Sequence, residues 1–129
     1  AAIFAAAVAD YAPAGMLPEK MAKSDREITL HLRPTPDIAK TLGLKKHAGQ
    51  TTVGFALQTS DGEANARRKL ETKNLDGIVL NTPATLGAGD GDFSFLPRGS
   101  VTFDCWGVVN KQECARKIMD ALAGLSRGK

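Results

Sequence analysis

Short apolar runs bounded by Pro, Gly and Asp alternate along this chain with segments of helical spacing, and the alternation predicts an α/β fold. Three observations carry that expectation. Ile3–Ala9, Thr51–Leu57 and Asp76–Leu80 are apolar almost throughout, as strands covered on both faces of a parallel sheet require. A helix-like segment, Ser60 to about Lys73, lies between two of these runs and serves as a right-handed crossover. Phe93–Leu96 and Val101–Trp106 flank a Pro97-Arg98-Gly99-Ser100 turn and read as an edge hairpin. The chain has 129 residues, enough for one domain with a sizeable core and no need of a disulfide or metal.

Taken in order, the run Ile3–Ala9 is the first buried strand and stops at Asp10-Tyr11-Ala12-Pro13. Ala12–Asp25, with two prolines, a glycine and two lysines, reads as a long loop. Glu27–Leu32 alternates polar and apolar, which predicts a half-exposed strand broken by Arg33-Pro34-Thr35-Pro36. Asp37 opens a helix with Ile38, Leu42 and Lys46 on one face, and Gly49 separates it from the strand Thr51–Leu57. Ser60 and Glu63 have capping-box spacing at the next helix. After the strand Asp76–Leu80, the glycine-rich stretch Ala84–Asp92 is expected to be a loop. Asn110 and Glu113 start a last helix whose apolar face is Cys114, Ile118, Ala121, Leu122 and Leu125. Phe103 and Trp106 read as core.

Composition narrows the function classes. Charged residues make up 24% and the net charge is +3, a mild excess spread along the chain. A nucleic-acid binder shows a denser basic stripe with interleaved aromatics, so nucleic acid is not expected as a partner. The apolar run Ala1–Ala9 is too short to span a bilayer and lacks a basic flank, so neither a membrane partner nor a signal peptide is expected. Cys105 and Cys114 have no CxxC spacing and no matching histidine pair, which leaves a reducing cytoplasm as the expected location and no metal site. The chain opens directly on an apolar run with no initiator methionine, and we expect it to be part of something longer.

In open α/β sheets ligands bind at the carboxyl ends of the strands. Those positions hold Asp10, Gln58-Thr59 and Asn81. Lys69 and Lys73 stand i and i+4 on one helix, where a bound anion would relieve their repulsion, although a solvated helix face is the commoner meaning. Lys20 and Lys23 sit in the long loop, free to swing over a phosphate or simply to face solvent. Gly87–Asp92 is not a phosphate cradle, because it leads into a strand and carries two aspartates. His31 and His47 stand alone, and no Ser/His/Asp or Cys/His arrangement has a convincing spacing.

Ala6-Ala7-Val8-Ala9-Asp10-Tyr11 with Pro13, then Pro18-Glu19-Lys20 with Lys23, resembles the signature of the phosphopantothenoylcysteine synthetases (phosphopantothenate–cysteine ligases). That ligase is one half of the bacterial bifunctional coenzyme A biosynthesis flavoprotein. The resemblance continues through Pro36-Asp37-Ile38, Val53-Gly54-Phe55-Ala56 with Thr59, then Ala66, Lys69, Lys73, Asp76 and Asn81, in the family's order. It covers about Phe4 to Asn81 and is thin past Ala84. It implies a Rossmann-like sheet, incomplete at its N-terminus, with residues 1–129 forming the C-terminal part of a single CTP-binding ligase domain.

The activity implied joins 4′-phosphopantothenate to cysteine with CTP and Mg2+, through an acyl-cytidylate, in a homodimer. FMN belongs only where a decarboxylase domain precedes the ligase. Carried over by motif, Lys20 is the catalytic cation at the phosphates. Ala5 and Ala6 offer strand-end backbone, and Asp10 faces the ribose. Pro36, Asp37, Ile38 and Ala39 form the nucleotide-contacting turn, Phe55 lies near the base, and Lys69 with Lys73 holds an anion. Departures are Ala12 for the family's arginine, Ala22 within the lysine cluster and Gln58 for a glutamate. The family's N-terminal strands and glycine-rich segment have no counterpart in these residues. The competing readings are a non-catalytic nucleotide-binding or dimerisation fragment, and an oxidoreductase piece that lacks any GxGxxG after a strand.

Overall fold

The computed structural model describes residues 1–15, 18–21, 23, 25–57, 60–83, 87 and 89–127. It divides the chain into two compact units, Ala1–Ala5 with Ile38–Lys129, and Ala6–Asp37.

The larger unit is built on a five-stranded sheet. Its strands are β1 (Ala2–Phe4), β4 (Thr52–Leu57), β5 (Gly77–Asn81), β6 (Asp90–Pro97) and β7 (Asp104–Asn110), in the spatial order β1-β4-β5-β6-β7. β1, β4 and β5 are parallel; β6 and β7 return antiparallel, which confirms the edge hairpin. Helices α1 (Ile38–Lys45) and α2 (Gly62–Thr72) are the crossovers between the parallel strands, and α3 (Lys111–Arg127) follows β7.

The sheet buries both faces. On one, Val53, Val79, Phe93 and Phe95 meet Cys114, Ile118 and Leu122 of α3, with Trp106, Ala121 and Leu125 at the margin. On the other, Ala56, Ile78, Leu80 and Leu96 meet Ala66 and Leu70 of α2, with Phe103 at the margin. Alternation along β4 and β5 thus feeds two separate clusters, which is why both strands are apolar throughout. The α3 face is the one that its spacing predicts, and Asn110 caps the helix by accepting the Glu113 N–H at 2.8 Å.

Several expectations shift. The first apolar run pairs with β4 only over Ala2–Phe4, and Ala5–Ala9 are exposed rather than buried. β1 is an edge strand with a partner on one side, so nothing holds the run in the sheet beyond Phe4. α1 ends before Lys46, and Ile38 and Leu42 are exposed; its buried residue is Gly43, whose missing Cβ makes room for the Lys73 carbonyl. The capping box does not form, because the N-cap of α2 is Asp61 with no side-chain cap bond. β6 begins inside the expected glycine loop, at Asp90, while β7 begins later than expected, at Asp104. Ala84, Thr85, Leu86 and Ala88 of that loop lie outside the described residues.

Arg98, in the β6–β7 connection, closes the far end of α2. Its Nε donates to the Leu75 carbonyl at 2.6 Å and one Nη to the Leu70 carbonyl at 2.7 Å, while the other pairs with Glu71 at 2.7 Å. Carbonyls at a helix end need such external donors.

The smaller unit is a two-stranded antiparallel ribbon, β2 (Tyr11–Pro13) with β3 (Leu32–Pro34). The expected strand Glu27–Leu32 is displaced: β3 starts at Leu32, and Arg33 and Pro34 lie in it rather than breaking it. A proline fits here because an outer strand leaves one side of the backbone unpaired. Val8, Tyr11, Met21, Ile28, Leu30 and Leu32 are all exposed, and among its described residues this unit has no buried side chain. Among the described residues no helix is long and apolar enough to cross a membrane.

Candidate functional site

In the ribbon unit, pairing brings Asp10-Tyr11 and Pro34-Thr35 together. Tyr11 lies opposite Pro34, and the Thr35 N–H donates to the Asp10 carbonyl at 2.9 Å. The Thr35 hydroxyl also donates to the Ala9 carbonyl. Asp10 is thereby held beside the start of Pro36-Asp37, with both carboxylate-bearing residues exposed. Ala6 is exposed on the approach to β2, and Lys20 is exposed in the β2–β3 connection. Met16, Leu17, Ala22 and Ser24 of that connection lie outside the described residues.

In the sheet unit, Ala5 is exposed immediately beyond the carboxyl end of β1, and Ile38 and Ala39 open α1. Phe55 lies mid-strand in β4, opposite Val79, half-buried against the cluster under α3. Gln58 and Thr59, which the sequence places at the end of that strand, lie outside the described residues.

Lys69 and Lys73 are placed differently. Lys69 is in the last turn of α2, and Lys73 is its C-cap, with the Lys73 N–H donating to the Lys69 carbonyl at 3.0 Å. This is the negative end of the helix dipole, which stabilises cations without any ligand. It is also the edge where β5 begins, and α2 lies on the sheet face opposite Phe55. Within this unit the nominated residues therefore fall into separate groups rather than one pocket.

A half-open cavity of about 340 Å3 lies at the amino edge of the sheet, lined by Leu42, Lys45, Lys46, Thr51 and Thr52 among others. It contains none of the nominated residues, and ligands of such sheets bind at the opposite edge. Among the described residues no cluster of His, Cys, Asp and Glu is arranged to hold a metal ion. Burial pushes the pKa of the Cys114 thiol up.

Sequence reasoning missed two anchors that hold this architecture. Lys46 pairs with Asp76 at 2.6 Å, joining the end of α1 to the start of β5. Arg98, from the β6–β7 connection, caps the end of α2. Both partners of each pair are distant in sequence, so no local spacing reveals them.

The model of the DNA/pantothenate metabolism flavoprotein C-terminal domain matches residues 1–125. The chain is 51% identical over 86 residues to the coenzyme A biosynthesis bifunctional protein CoaBC of Bacillus subtilis, covering 67% of this chain and 21% of that protein. It is 50% identical over 90 residues to a cysteine/cysteine sulfinic acid decarboxylase of an unknown prokaryotic organism, covering 70% and 25%. Among solved structures, the C-terminal domain of a CoaBC protein superposes with a TM-score of 0.74 at 27% identity, covering 99% of this chain and 56% of that one. The chain thus spans a quarter or less of these two relatives and about half of the solved domain. Motif order, sheet topology and family model agree, and the chain belongs to the DNA/pantothenate metabolism flavoprotein C-terminal domain family.

Proposed function

We propose that this chain is the C-terminal, nucleotide-binding part of a CTP-dependent ligase that joins 4′-phosphopantothenate to cysteine in coenzyme A biosynthesis. The observation that carries the reading is the family match over residues 1–125, together with the identity to CoaBC. In this reading a carboxylate oxygen of 4′-phosphopantothenate attacks the α-phosphorus of CTP, and pyrophosphate leaves. The cysteine amine then attacks the acyl carbon, and CMP leaves. Negative charge accumulates on the α-phosphate, so the reaction calls for positioned cations, which Mg2+ and Lys20 supply. In this reading Asp10 receives the ribose, and Pro36, Asp37, Ile38 and Ala39 contact the nucleotide. Ala5 and Ala6 contribute backbone, and Phe55 lies toward the base. Lys69 and Lys73 fit this reading less closely than the others, because the α2 terminus already stabilises them.

The test is pyrophosphate release from CTP by a ligase containing this chain, dependent on 4′-phosphopantothenate and Mg2+ and preceding any need for cysteine. Release only after cysteine is added would exclude the cytidylate order.

One observation favours a second role alongside the first. Six large apolar side chains of the ribbon unit are exposed, which is the composition of a surface completed by another chain. A homodimer joined through this unit follows, and a chain of this length alone would then bind nucleotide and self-associate without catalysing the complete reaction.

A further inference from the structure

Asp10 has no apolar anchor. It lies six residues beyond the end of β1 and directly before β2, and Ala5–Ala9 ahead of it are exposed. Among its described residues the ribbon unit buries no side chain, so hydrogen bonds and not packing set the direction of the Asp10 carboxylate. The ladder available for this is short. β2 and β3 pair from Tyr11↔Pro34 to Pro13↔Leu32, and Pro13 and Pro34 have no N–H to donate. Thr35 stands between Pro34 and Pro36, so it supplies the backbone donor for that stretch. Its N–H donates to the Asp10 carbonyl at 2.9 Å, and its hydroxyl donates to the Ala9 carbonyl. Those carbonyls belong to the two peptide groups on either side of the Asp10 Cα. Because each peptide group is planar, holding both fixes the two soft dihedrals of Asp10, and with them the direction of its Cα–Cβ bond. Thr35 is itself confined, since a residue before proline is restricted to extended backbone.

We infer that Thr35 is a positioning residue for nucleotide binding, whose hydroxyl, bonded to the Ala9 carbonyl, aims the Asp10 carboxylate at its ligand. This deepens the CTP reading and rests on the part of it in which Asp10 receives the ribose. The ribbon alone does not call for the hydroxyl: valine has the same branched shape, supplies the same N–H and is at least as good a strand former. Aim matters because a carboxylate accepts hydroxyl donors along fixed lone-pair directions, and a charge-assisted bond weakens when its angle is lost. The Thr35 hydroxyl touches no substrate, so its effect reaches the nucleotide through Asp10. A ribose contact is made alike before and during attack at the α-phosphorus, so its loss shows in KM and not in kcat.

The experiment is steady-state pyrophosphate release by a ligase containing this chain, with CTP varied at saturating 4′-phosphopantothenate and Mg2+. Thr35→Val is expected to raise KM for CTP roughly threefold to tenfold, the loss of one neutral hydrogen bond, with kcat unchanged. Thr35→Ser keeps the hydroxyl and is expected to recover most of the parent KM. Asp10→Ala should raise KM by about tenfold or more, and adding Thr35→Val to it should change KM by less than about twofold, because no carboxylate is left to aim. If Thr35→Val cost the same factor with and without Asp10, Thr35 would only hold the ribbon. If Thr35→Val lowered kcat at constant KM, or left both unchanged while Asp10→Ala raised KM, the inference alone would fall. If Asp10→Ala left KM unchanged, the ribose role of Asp10 would fall, and this inference with it.

Discussion

Lys46 Nζ lies 2.6 Å from Asp76 Oδ2, and this pair joins the end of α1 to the start of β5 across the intervening strand β4. The Asp76 carboxylate also accepts the Thr52 N–H at 2.8 Å and the Thr52 hydroxyl at 3.1 Å, and the Lys46 ammonium donates to the Asn74 carbonyl at 2.7 Å. Both side chains are largely buried, so each relies on the other. Removing the carboxylate charge strands the ammonium. Asp76→Asn is therefore expected to destabilise the chain by about 3 kcal/mol, as breaking a buried pair from one side does. Urea denaturation would check it, and a loss below about 1 kcal/mol would show that the pair does not hold the amino edge.

Two helical glycines should respond to alanine with opposite signs. A Cβ on Gly43 would lie 1.9 Å from the Lys73 carbonyl oxygen, which is backbone and cannot step aside. Gly43→Ala should cost about 1–3 kcal/mol through this clash, despite the better helix propensity of alanine. Gly124 in α3 has open space where its Cβ would be, and Gly124→Ala should gain about 0.5–1 kcal/mol. Thermal midpoints moving the same way in both variants would contradict the close approach of α1 to the end of α2.

The two thiols should differ in reactivity and in their effect on stability. Cys105 is exposed, whereas Cys114 is buried between α3 and the sheet and its pKa is raised by that burial. A disulfide reagent at mildly alkaline pH should label Cys105 rapidly and reach Cys114 only on unfolding. Because the folded pKa of Cys114 is the higher one, its stabilising contribution is complete below the unfolded thiol pKa, about 8.5. It is lost as pH rises from there through the folded value. Cys114→Ala should remove that alkaline slope; a slope identical in both proteins would assign it elsewhere.

Lys20 should matter to chemistry and not to folding. It is exposed in the β2–β3 connection, so Lys20→Gln should change stability by less than about 0.5 kcal/mol. In a ligase containing this chain the substitution should slow cytidylate formation on the order of a hundredfold or more, as loss of one preorganised charge does. Lys45, exposed at the end of α1 on the amino edge, is the comparison, and Lys45→Gln should leave the rate nearly unchanged. Equal losses at both lysines would replace the local account with a general basic-surface effect.

Association should run through the ribbon unit. Leu30 is 69% exposed there, among five other exposed apolar side chains. Sedimentation equilibrium at high micromolar concentration is expected to show a dimer, and Leu30→Asp to shift it toward monomer. A wild-type chain that stays monomeric throughout would remove the homodimer from the proposal.

The sequence alone determined those features whose cause is local or periodic. The stripe Cys114, Ile118, Ala121, Leu122 and Leu125 lies against the sheet, since five apolar residues at helical spacing leave one face to bury. Asn110 caps its helix because the bond it accepts is only three residues away. The runs that became β4 and β5 are apolar on both sides, which demands a sheet covered on both faces. Asn81 was legible as a strand-end position, whereas Asp10, expected at the end of the first strand, lies six residues beyond β1 and directly before β2, where pairing in the ribbon places it beside Pro36-Asp37. Tertiary structure decided what depends on distant partners. Ala5–Ala9 are as apolar as a core strand, yet they leave the sheet, because β1 has a neighbour on one side only. The ribbon strand begins at Leu32 rather than Glu27, because its register answers to Tyr11–Pro13 and not to its own alternation. Phe55 and the pair Lys69 and Lys73 occupy nearby motifs but opposite sides of the sheet, since a strand residue faces whichever cluster its parity selects while the helix that follows covers the other face.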